Sequence, residues 1–235
     1  MDIIEYWSDI EFRLGTLLND GFVKLPSLKV CDLDKVSADI ADEMGALTFK
    51  ELGSSHKNFL GFLKINEYLT PRLYEIAKKV YNFDGEISNQ YHIARKVEPG
   101  NVKEMYRAHF DSHIFTMVIP IKIPKSSEDG TAGDLIYFPN SRKMPNNEFT
   151  NVFDKVIHKK YASKKGLEKF AVKHKKNTEN FIELEPLIFL GNTTLHTNHP
   201  VTEDCSDYRL TLLAHFFDNS PKISIGSLLR TLRNR

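Results

Sequence analysis

The stretch Phe115 to Ile123 reads FTMVIPIKI and is a dense run of β-branched and other strand-forming residues. Because polar and apolar residues do not alternate along it, the stretch is typical of a strand buried on both faces. Downstream, Gly133 to Pro139 (GDLIYFP), Phe181 to Leu190 and Tyr208 to Phe217 (YRLTLLAHFF) also favour strands. These segments together predict a core made mainly of β-structure.

Two further strands are predicted upstream of this run. Residues Ile87 to Val97 are rich in strand formers, and the turn formers Pro99-Gly100-Asn101 lead to a second strand at about 105–110. The upstream region therefore extends the β-core towards the N-terminus.

Before residue 85 the pattern is helical. Apolar residues recur every three to four positions over 1–20, and the same spacing recurs at 32–46 and at 70–81. Asp32 or Asp34 can cap the second of these helices. Helices followed by many short strands predict a mainly β fold with α-structure, a sandwich or barrel braced by N-terminal helices.

The length of the chain favours one domain, and its basic and acidic residues nearly balance. The 235 residues form one domain in this interpretation, 1–235, with helical support at 1–84, the β-core at 85–217 and a tail at 218–235. The chain carries 32 basic and 31 acidic residues, so its overall charge argues against a nucleic-acid partner.

The chain has no apolar run near the roughly 20 residues that span a bilayer, so we expect no membrane segment. Its N-terminus lacks the basic and apolar regions of a signal peptide. Two cysteines, Cys31 and Cys205, are too few for a disulfide framework and are expected to be reduced thiols. We therefore expect a cytoplasmic protein.

A lysine-rich insertion at about 143–180 interrupts the series of strands. Apolar residues at helical spacing predict two short helices, and nine lysines face one acid, Glu168, between Lys155 and Lys176. The insertion is either a solvated face of two helices or a lid or docking surface for an anionic partner. The sequence leaves both open.

His109-Phe110-Asp111 is the first candidate metal site. Residues two apart on an extended strand point to the same face, so both polar side chains can reach one ion. With nine histidines and 31 acids in the chain, about one such pair is expected by chance, so the pair needs support from elsewhere in the sequence.

That support lies at the end of Ile188 to His196, where an apolar strand and a turn are followed by a histidine. Two histidines and one carboxylate can occupy one face of an octahedral iron(II) ion and leave three positions open, as an oxygenase requires. Zinc also accepts these ligands, so the residue types alone do not name the metal.

The order of these segments resembles the 2-oxoglutarate/iron(II) dioxygenase superfamily. HFD is followed by FTMVIPIKI, GDLIYFP, LIFLGNTTLHTNHPV and YRLTLLAHF, and the entry segment LNDGFVKLPSL is also similar. The prolyl-hydroxylase and phytanoyl-CoA-hydroxylase-like branches share a distal histidine followed by Pro-Val and then a basic residue, here His196, Pro200, Val201 and Arg209.

This resemblance implies a double-stranded β-helix, a jelly roll of cupin-like type, with the site inside its mouth. It implies iron(II) held by His109, Asp111 and His196, with 2-oxoglutarate as cosubstrate and dioxygen as oxidant. His199 competes with His196 for the distal position, but the His-x-x-x-Pro-Val order favours His196. His113 and His215 are expected to line the pocket or pack beside it.

The resemblance also assigns cosubstrate residues. Arg209 stands where the family places the cation that binds the far carboxylate of 2-oxoglutarate, a task suited to the planar guanidinium. Thr211 follows two residues later on the same strand face. Asn89 and Tyr91 are similar to an Asn-x-Tyr pair that contacts 2-oxoglutarate in the alkylation-repair branch.

The implied activity is hydroxylation of a small molecule or amino acid with release of succinate and CO2. Related halogenases replace the metal-bound carboxylate with a small residue, so Asp111 favours hydroxylation or desaturation. Hydroxylation of a protein, peptide or nucleic acid is an alternative within the superfamily. A cupin-like metal enzyme or a sensor without 2-oxoglutarate is an alternative outside it. The tail from Ile225 to Arg235 can pack on the barrel or form a homodimer.

Overall fold

In the computed structural model the described residues are 2–29, 31–51, 53–101, 105–128, 130–144 and 159–219. Most helices precede the strands, in the predicted order. The helices are α1 Ile3–Tyr6, α2 Ile10–Asp20, α3 Leu33–Met44, α4 Ser54–Phe62, α5 Ile65–Tyr68, α6 Thr70–Tyr81 and α7 Lys164–Ala171, and a 3-10 helix covers Lys159–Tyr161. No helix in the described part of the chain is long and apolar enough to cross a membrane.

The strands form two antiparallel sheets. They are β1 Phe22–Lys24, β2 Phe49–Glu51, β3 Gln90–Val97, β4 His113–Lys122, β5 Leu135–Phe138, β6 Asn177–Glu179, β7 Leu187–Leu190, β8 Leu195–Asn198 and β9 Arg209–Asp218. The major sheet has six strands in the order β1-β7-β4-β9-β3-β2, and the minor sheet has three in the order β6-β5-β8. The prediction of a sheet-rich fold with helices is confirmed.

The major sheet is buried on both faces, as its composition predicted. On β7, Ile188 and Leu190 pack into the core shared with the N-terminal helices, whereas Leu187 and Phe189 join a second cluster with Leu135 of the minor sheet. Successive side chains of a strand point to opposite faces, so the two clusters lie on opposite sides of the sheet. The space between the sheets holds the candidate site.

The far side of the minor sheet is covered by α7. Ile136 and Phe138 of β5 form a cluster with Leu167 and Phe170 of α7, and Phe110 completes it. The second helix of the insertion is therefore confirmed, and it belongs to the same apolar cluster as Phe110, the residue between His109 and Asp111. Of the other predicted helix of the insertion, from Val152 to Tyr161, only the 3-10 helix at Lys159–Tyr161 lies within the described residues, and residues 220–235 of the tail lie outside them.

Local signals explain where the helices begin and end. The Asp32 carboxylate accepts a hydrogen bond from the Lys35 backbone amide at the start of α3, as predicted. The single helix predicted over 1–20 is wrong, because α1 ends at Trp7, whose indole Nε1 donates to the buried carbonyl of Leu63 at 2.9 Å. A tertiary hydrogen bond thus overrides the apolar periodicity.

Two predicted strands are wrong in extent. Residues 105–110 form no strand; only His109 makes an isolated bridge, and Tyr106 has a φ of 53°. In 181–190 the strand is confined to Leu187–Leu190, because Phe181 and Leu184 adopt left-handed backbone with φ of 59° and 52°. Positive φ values break extended pairing.

Gly21 ends α2 in a left-handed conformation, so its replacement should destabilise the protein. Its φ is 82°, and a Cβ there would lie 2.8 Å from Asn140 Nδ2, so Gly21→Ala should lower the free energy of unfolding by about 1 kcal/mol or more. Gly15 is the matched control, because it lies inside α2 and a Cβ there meets nothing within 4 Å.

Gly15→Ala should raise the free energy of unfolding by about 0.5–1 kcal/mol through helix propensity. Urea titration of both variants measures the two changes. Equal effects of the two substitutions would contradict a strained helix end at Gly21.

Candidate metal centre

Backbone hydrogen bonds bring the three predicted metal ligands together. The amides of His109 and His196 each donate to the carbonyl of the other residue at 3.0 Å, which ties the segment after β3 to β8. The amide of Asp111 donates to the carbonyl of Gly191 at 3.0 Å. Residues distant in sequence are thus fixed side by side before any ligand is bound.

The side chains of His109, Asp111 and His196 converge. Each offers a ligand atom, and these atoms lie within 4.8 Å of one another. His109 Nε2 lies 3.5 Å from Asp111 Oδ1, and His196 Nε2 lies 3.7 Å from Asp111 Oδ2. Separations of this size leave room for one cation bound by all three groups, since metal–nitrogen and metal–oxygen bonds are about 2.0–2.2 Å long.

The other ring nitrogens hold the two imidazoles in orientation. His109 Nδ1 lies 2.7 Å from the carbonyl of Arg107, and His196 Nδ1 lies 3.2 Å from the carbonyl of Thr194. A carbonyl oxygen can only accept, so Nδ1 carries the hydrogen in both rings and Nε2 is left with a lone pair. Such outer hydrogen bonds are typical of metal-binding histidines.

Thr116 and His215 support the carboxylate of Asp111. The hydroxyl of Thr116 on β4 donates to Asp111 Oδ2 at 2.5 Å and lies 3.1 Å from His215 Nδ1. His215 Nδ1 lies 3.7 Å from Asp111 Oδ2. Its ring also packs against His113 with centroids 5.0 Å apart. His215 and His113 therefore line the site, as predicted, whereas Thr116 was not identified from the sequence.

Gly191 is required by the close approach of β4. A Cβ at this position would lie 2.6 Å from Thr116 Oγ1, 2.8 Å from the carbonyl of His113 and 3.1 Å from Asp111 Cβ. A side chain here would push the strand away from the carboxylate. The glycine in the turn before His196 thus serves the packing of the site.

The protonation states suit metal binding. Burial opposes ionisation of Asp111, but the imidazoles of His196 and His109 outweigh it and hold the pKa of the carboxyl well below its usual range. Burial lowers the pKa of His196 to about 4, so this imidazole is neutral near pH 7. A carboxylate and a neutral imidazole are forms that bind a divalent cation. At His109 burial opposes the charged form, but the hydrogen bond and charge of Asp111 outweigh it and raise the pKa of this imidazole, so metal binding there would displace a proton.

The three ligands differ in exposure. The side chains of Asp111 and His196 are 10% and 9% exposed, whereas that of His109 is 55% exposed. The centre is therefore open to solvent on the His109 side and closed on the other two.

The alternative distal ligand, His199, lies in another environment. His199 Nδ1 lies 3.3 Å from the hydroxyl of Tyr106, and the ligand group found among the described residues contains His196 instead. The geometry therefore favours His196, in agreement with the spacing to Pro200.

A recess beside the centre contains the predicted cosubstrate arginine. The recess is lined in part by Arg209, Gly133, Asn198 and His199. A Cβ on Gly133 would lie 2.7 Å from Arg209 Cδ, so the glycine admits the arginine stem. Asn198 belongs to β8, two residues after His196, which places the recess next to the metal ligands.

The Arg209 guanidinium is buried and incompletely bonded. The residue is 2% exposed, and its Nη2 has no hydrogen-bond partner in the described part of the chain. Burial, together with the charge of Arg95, lowers the pKa of Arg209 to about 9, so it is still charged near pH 7. A buried cation with an unpartnered donor is suited to an anionic ligand.

The other predicted cosubstrate residues are placed differently. Thr211 is 1% exposed and follows Arg209 on the same face of β9. Tyr91 stacks on His215 with centroids 6.1 Å apart and is 40% exposed, so it borders the metal centre. Asn89 Oδ1 accepts a hydrogen bond from the Asp218 amide at 3.1 Å, which commits this oxygen to the end of β9.

Comparisons with known proteins agree on the fold. No family model and no curated protein matches the sequence. A prolyl-4-hydroxylase from Pseudomonas putida superposes with a TM-score of 0.52 at 11% identity, covering 93% of this chain and 100% of that one. Prolyl 4-hydroxylases from Phytophthora capsici give a TM-score of 0.54 at 11% identity, covering 99% of this chain and 73% of theirs.

The non-heme alpha-ketoglutarate-dependent epimerase SnoN from nogalamycin biosynthesis gives a TM-score of 0.52 at 14% identity, covering 92% of this chain and 88% of SnoN. The chain therefore shares its fold with prolyl hydroxylases and other 2-oxoglutarate-dependent non-haem enzymes. The family resemblance inferred from the sequence motifs is confirmed at this level, and the low identity leaves the reaction to be argued from the site.

Thr116→Val should weaken metal binding. Loss of the hydroxyl removes the hydrogen bond that orients Asp111, and loss of such outer contacts costs about 10- to 100-fold in metal affinity. Anaerobic titration with Fe(II) or Co(II) measures this affinity. The matched control is Thr197→Val, because Thr197 is 2% exposed and its hydroxyl has no hydrogen-bond partner in the described residues. Similar losses in both variants would contradict a specific role for Thr116.

Proposed function

We propose that this protein is an iron(II)- and 2-oxoglutarate-dependent oxygenase built on a double-stranded β-helix. One observation carries the proposal: the ligand atoms of His109, Asp111 and His196 converge next to a recess that contains the buried, incompletely bonded Arg209. The first group fits a mononuclear metal with open positions, and the second fits the far carboxylate of 2-oxoglutarate. The shared fold with 2-oxoglutarate-dependent enzymes supports this assignment.

Each half of the site has a defined task in this proposal. When bound, iron and 2-oxoglutarate supply oxidising chemistry in which dioxygen is consumed and the cosubstrate is converted to succinate and CO2. Asp111 and the two histidines fix the position of the metal through atoms whose orientation is already set by Thr116 and backbone carbonyls. Arg209 and Thr211 hold the far carboxylate in the recess.

We further propose that the reaction is hydroxylation of an unactivated C–H bond in a small molecule or an amino acid. The metal-binding carboxylate is retained at Asp111, which the halogenase-like alternative lacks. The comparison proteins include an epimerase and a carbocyclase as well as prolyl hydroxylases. The choice between these outcomes rests on the substrate, so a screen of substrates is the deciding experiment.

The assignment is tested by anaerobic addition of Fe(II) and 2-oxoglutarate. A charge-transfer absorption band in the visible region is expected only when both bind at one centre. Succinate release is then measured across a panel of amino acids and metabolites. A metal enzyme or sensor that does not use 2-oxoglutarate would show metal binding without the band, and this result would reject the proposal.

His196→Ala should abolish the band and the coupled formation of succinate, because it removes one of three metal ligands. His199→Ala tests the competing ligand, since His199 lies three residues away and contacts Tyr106. Because His199 also lines the recess, metal affinity without cosubstrate is the readout for this variant, and it should be unchanged. Asp111→Ala should likewise abolish succinate formation coupled to substrate. If His199→Ala abolishes the metal-dependent band and His196→Ala leaves it intact, the ligand assignment is wrong.

Arg209→Met should weaken 2-oxoglutarate binding by at least about 30-fold, because removing one partner of a buried charge pair costs about 2 kcal/mol or more. Methionine fills much of the same space without a charge. The affinity is read from the absorption band during anaerobic titration. Metal affinity, measured without cosubstrate, should change little, and an equal loss of both would contradict a role confined to the cosubstrate.

A further inference from the structure

A second arginine lines the same recess as Arg209. Arg95 on β3 and Arg209 on β9 both border the recess, together with Asn101 and Asn198. Neither the metal centre nor the function proposed above uses Arg95. Its position beside the predicted cosubstrate site raises the question of what anion two guanidinium groups would bind.

The strand register places Arg95 on the same face as the cosubstrate residues. In the antiparallel pair of β3 and β9, Arg95 lies directly opposite Thr211, and Val97 lies opposite Arg209. Directly opposed residues of an antiparallel pair share a face of the sheet, and so do residues two apart on one strand. Arg95, Thr211 and Arg209 therefore form a triangle on the face that borders the recess.

Arg95 is held in place from two sides. Its Nη1 donates to Asn198 Oδ1 at 2.5 Å, and Asn198 Nδ2 donates to the carbonyl of Gly133 at 2.9 Å. Its guanidinium lies 5.5 Å from the centre of the Phe49 ring on β2. The side chain is thus directed by contacts with both sheets, and a preorganised guanidinium loses little freedom when it binds an anion.

The two guanidinium groups of the recess influence each other electrostatically. The charge of Arg95 contributes to the lowered pKa of Arg209, and Asp134 is the acid that acts on Arg209 in the opposite direction. Burial raises the pKa of Asp134. A ligand that brings a carboxylate into this recess relieves the repulsion between the two cations.

We propose that Arg95 is a second guanidinium for the far carboxylate of 2-oxoglutarate, acting with Arg209 and Thr211, and that it determines selectivity for a dicarboxylic oxo acid. This inference rests on the proposed function. Two planar guanidinium groups supply directed hydrogen bonds that a monocarboxylic 2-oxo acid cannot use. Arg95 is therefore a specificity-determining residue of the cosubstrate site.

The test compares two ligands in four proteins. Dissociation constants for 2-oxoglutarate and for 2-oxopentanoate, which lacks the far carboxylate, are measured anaerobically with Fe(II) in the unmodified protein and in three variants. These are Arg95→Gln, Arg95→Lys and the control Arg72→Gln, whose side chain pairs with Glu11 on the surface of the helices. Binding is followed by absorption and, independently, by the rise in unfolding temperature with ligand.

Arg95→Gln should weaken 2-oxoglutarate binding by about 10- to 100-fold, the range expected for hydrogen bonds to a charged group, and should leave 2-oxopentanoate binding nearly unchanged. Arg95→Lys should weaken 2-oxoglutarate binding less, since lysine keeps the charge but lacks the parallel N–H donors of a guanidinium. Arg72→Gln should leave the affinity for 2-oxoglutarate unchanged. The ratio of the two affinities thus falls only when Arg95 is changed, which a general loss of packing would not produce.

Equal weakening of both ligands in the Arg95 variants, or unchanged 2-oxoglutarate affinity in both, would overturn the inference while the proposed function stands. Failure of the unmodified protein to bind 2-oxoglutarate in the presence of Fe(II) would overturn the proposed function and this inference with it. If Arg95→Gln does not fold, the ratio measured for Arg95→Lys decides, because lysine preserves the charge and the length of the side chain.

Discussion

The reciprocal pair of backbone hydrogen bonds between His109 and His196 is the interaction on which the candidate site depends. It joins two segments separated by the whole of β4, β5, α7, β6 and β7, and both bonds measure 3.0 Å. The Asp111 amide adds a third bond, to the carbonyl of Gly191. Because backbone atoms make these bonds, the positions of the ligands depend on the fold and on a glycine that permits close approach, and only their chemistry depends on the side chains.

The electrostatics of the centre follow from this placement. Asp111 is held among imidazoles in a region with little solvent, and burial of a carboxylate is costly unless hydrogen bonds and charges compensate. Thr116 donates one such bond, while the neutral His196 presents a lone pair. The carboxylate of Asp111 and the lone pair of His196 point towards the same space. A divalent cation in that space would compensate the negative charge. The same reasoning with the opposite sign applies to the recess, where the buried guanidinium of Arg209 has a donor, Nη2, without a hydrogen-bond partner in the described residues.

The sequence predicted the parts of this architecture in which local signals and burial agree. Apolar periodicity located the helices at Leu33–Met44 and Thr70–Tyr81, and unbroken apolar runs located β4 and β9. The short strands β2, β6 and β8 were not predicted as separate elements, because three or four residues carry little periodicity. The supposed strand at 105–110 failed because the chain enters the site through left-handed backbone at Tyr106. Spacing and family resemblance predicted His109, Asp111, His196 and Arg209 as site residues, whereas the role of Thr116 follows only from strand register, which the sequence does not display.

The two halves of the site place different demands on the chain, and this explains why one was easier to identify. A metal centre needs particular donor atoms at short range, so it leaves a pattern of residue types such as His-x-Asp. An anion recess needs positive charge and directed donors, which arginines from several strands can supply in many combinations. Here Arg209 comes from the start of β9, while Arg95 comes from the neighbouring strand and is oriented through Asn198 of the other sheet. Selectivity for a cosubstrate can therefore be distributed over residues with no common motif. Such residues are found by tracing which side chains share a face between the sheets.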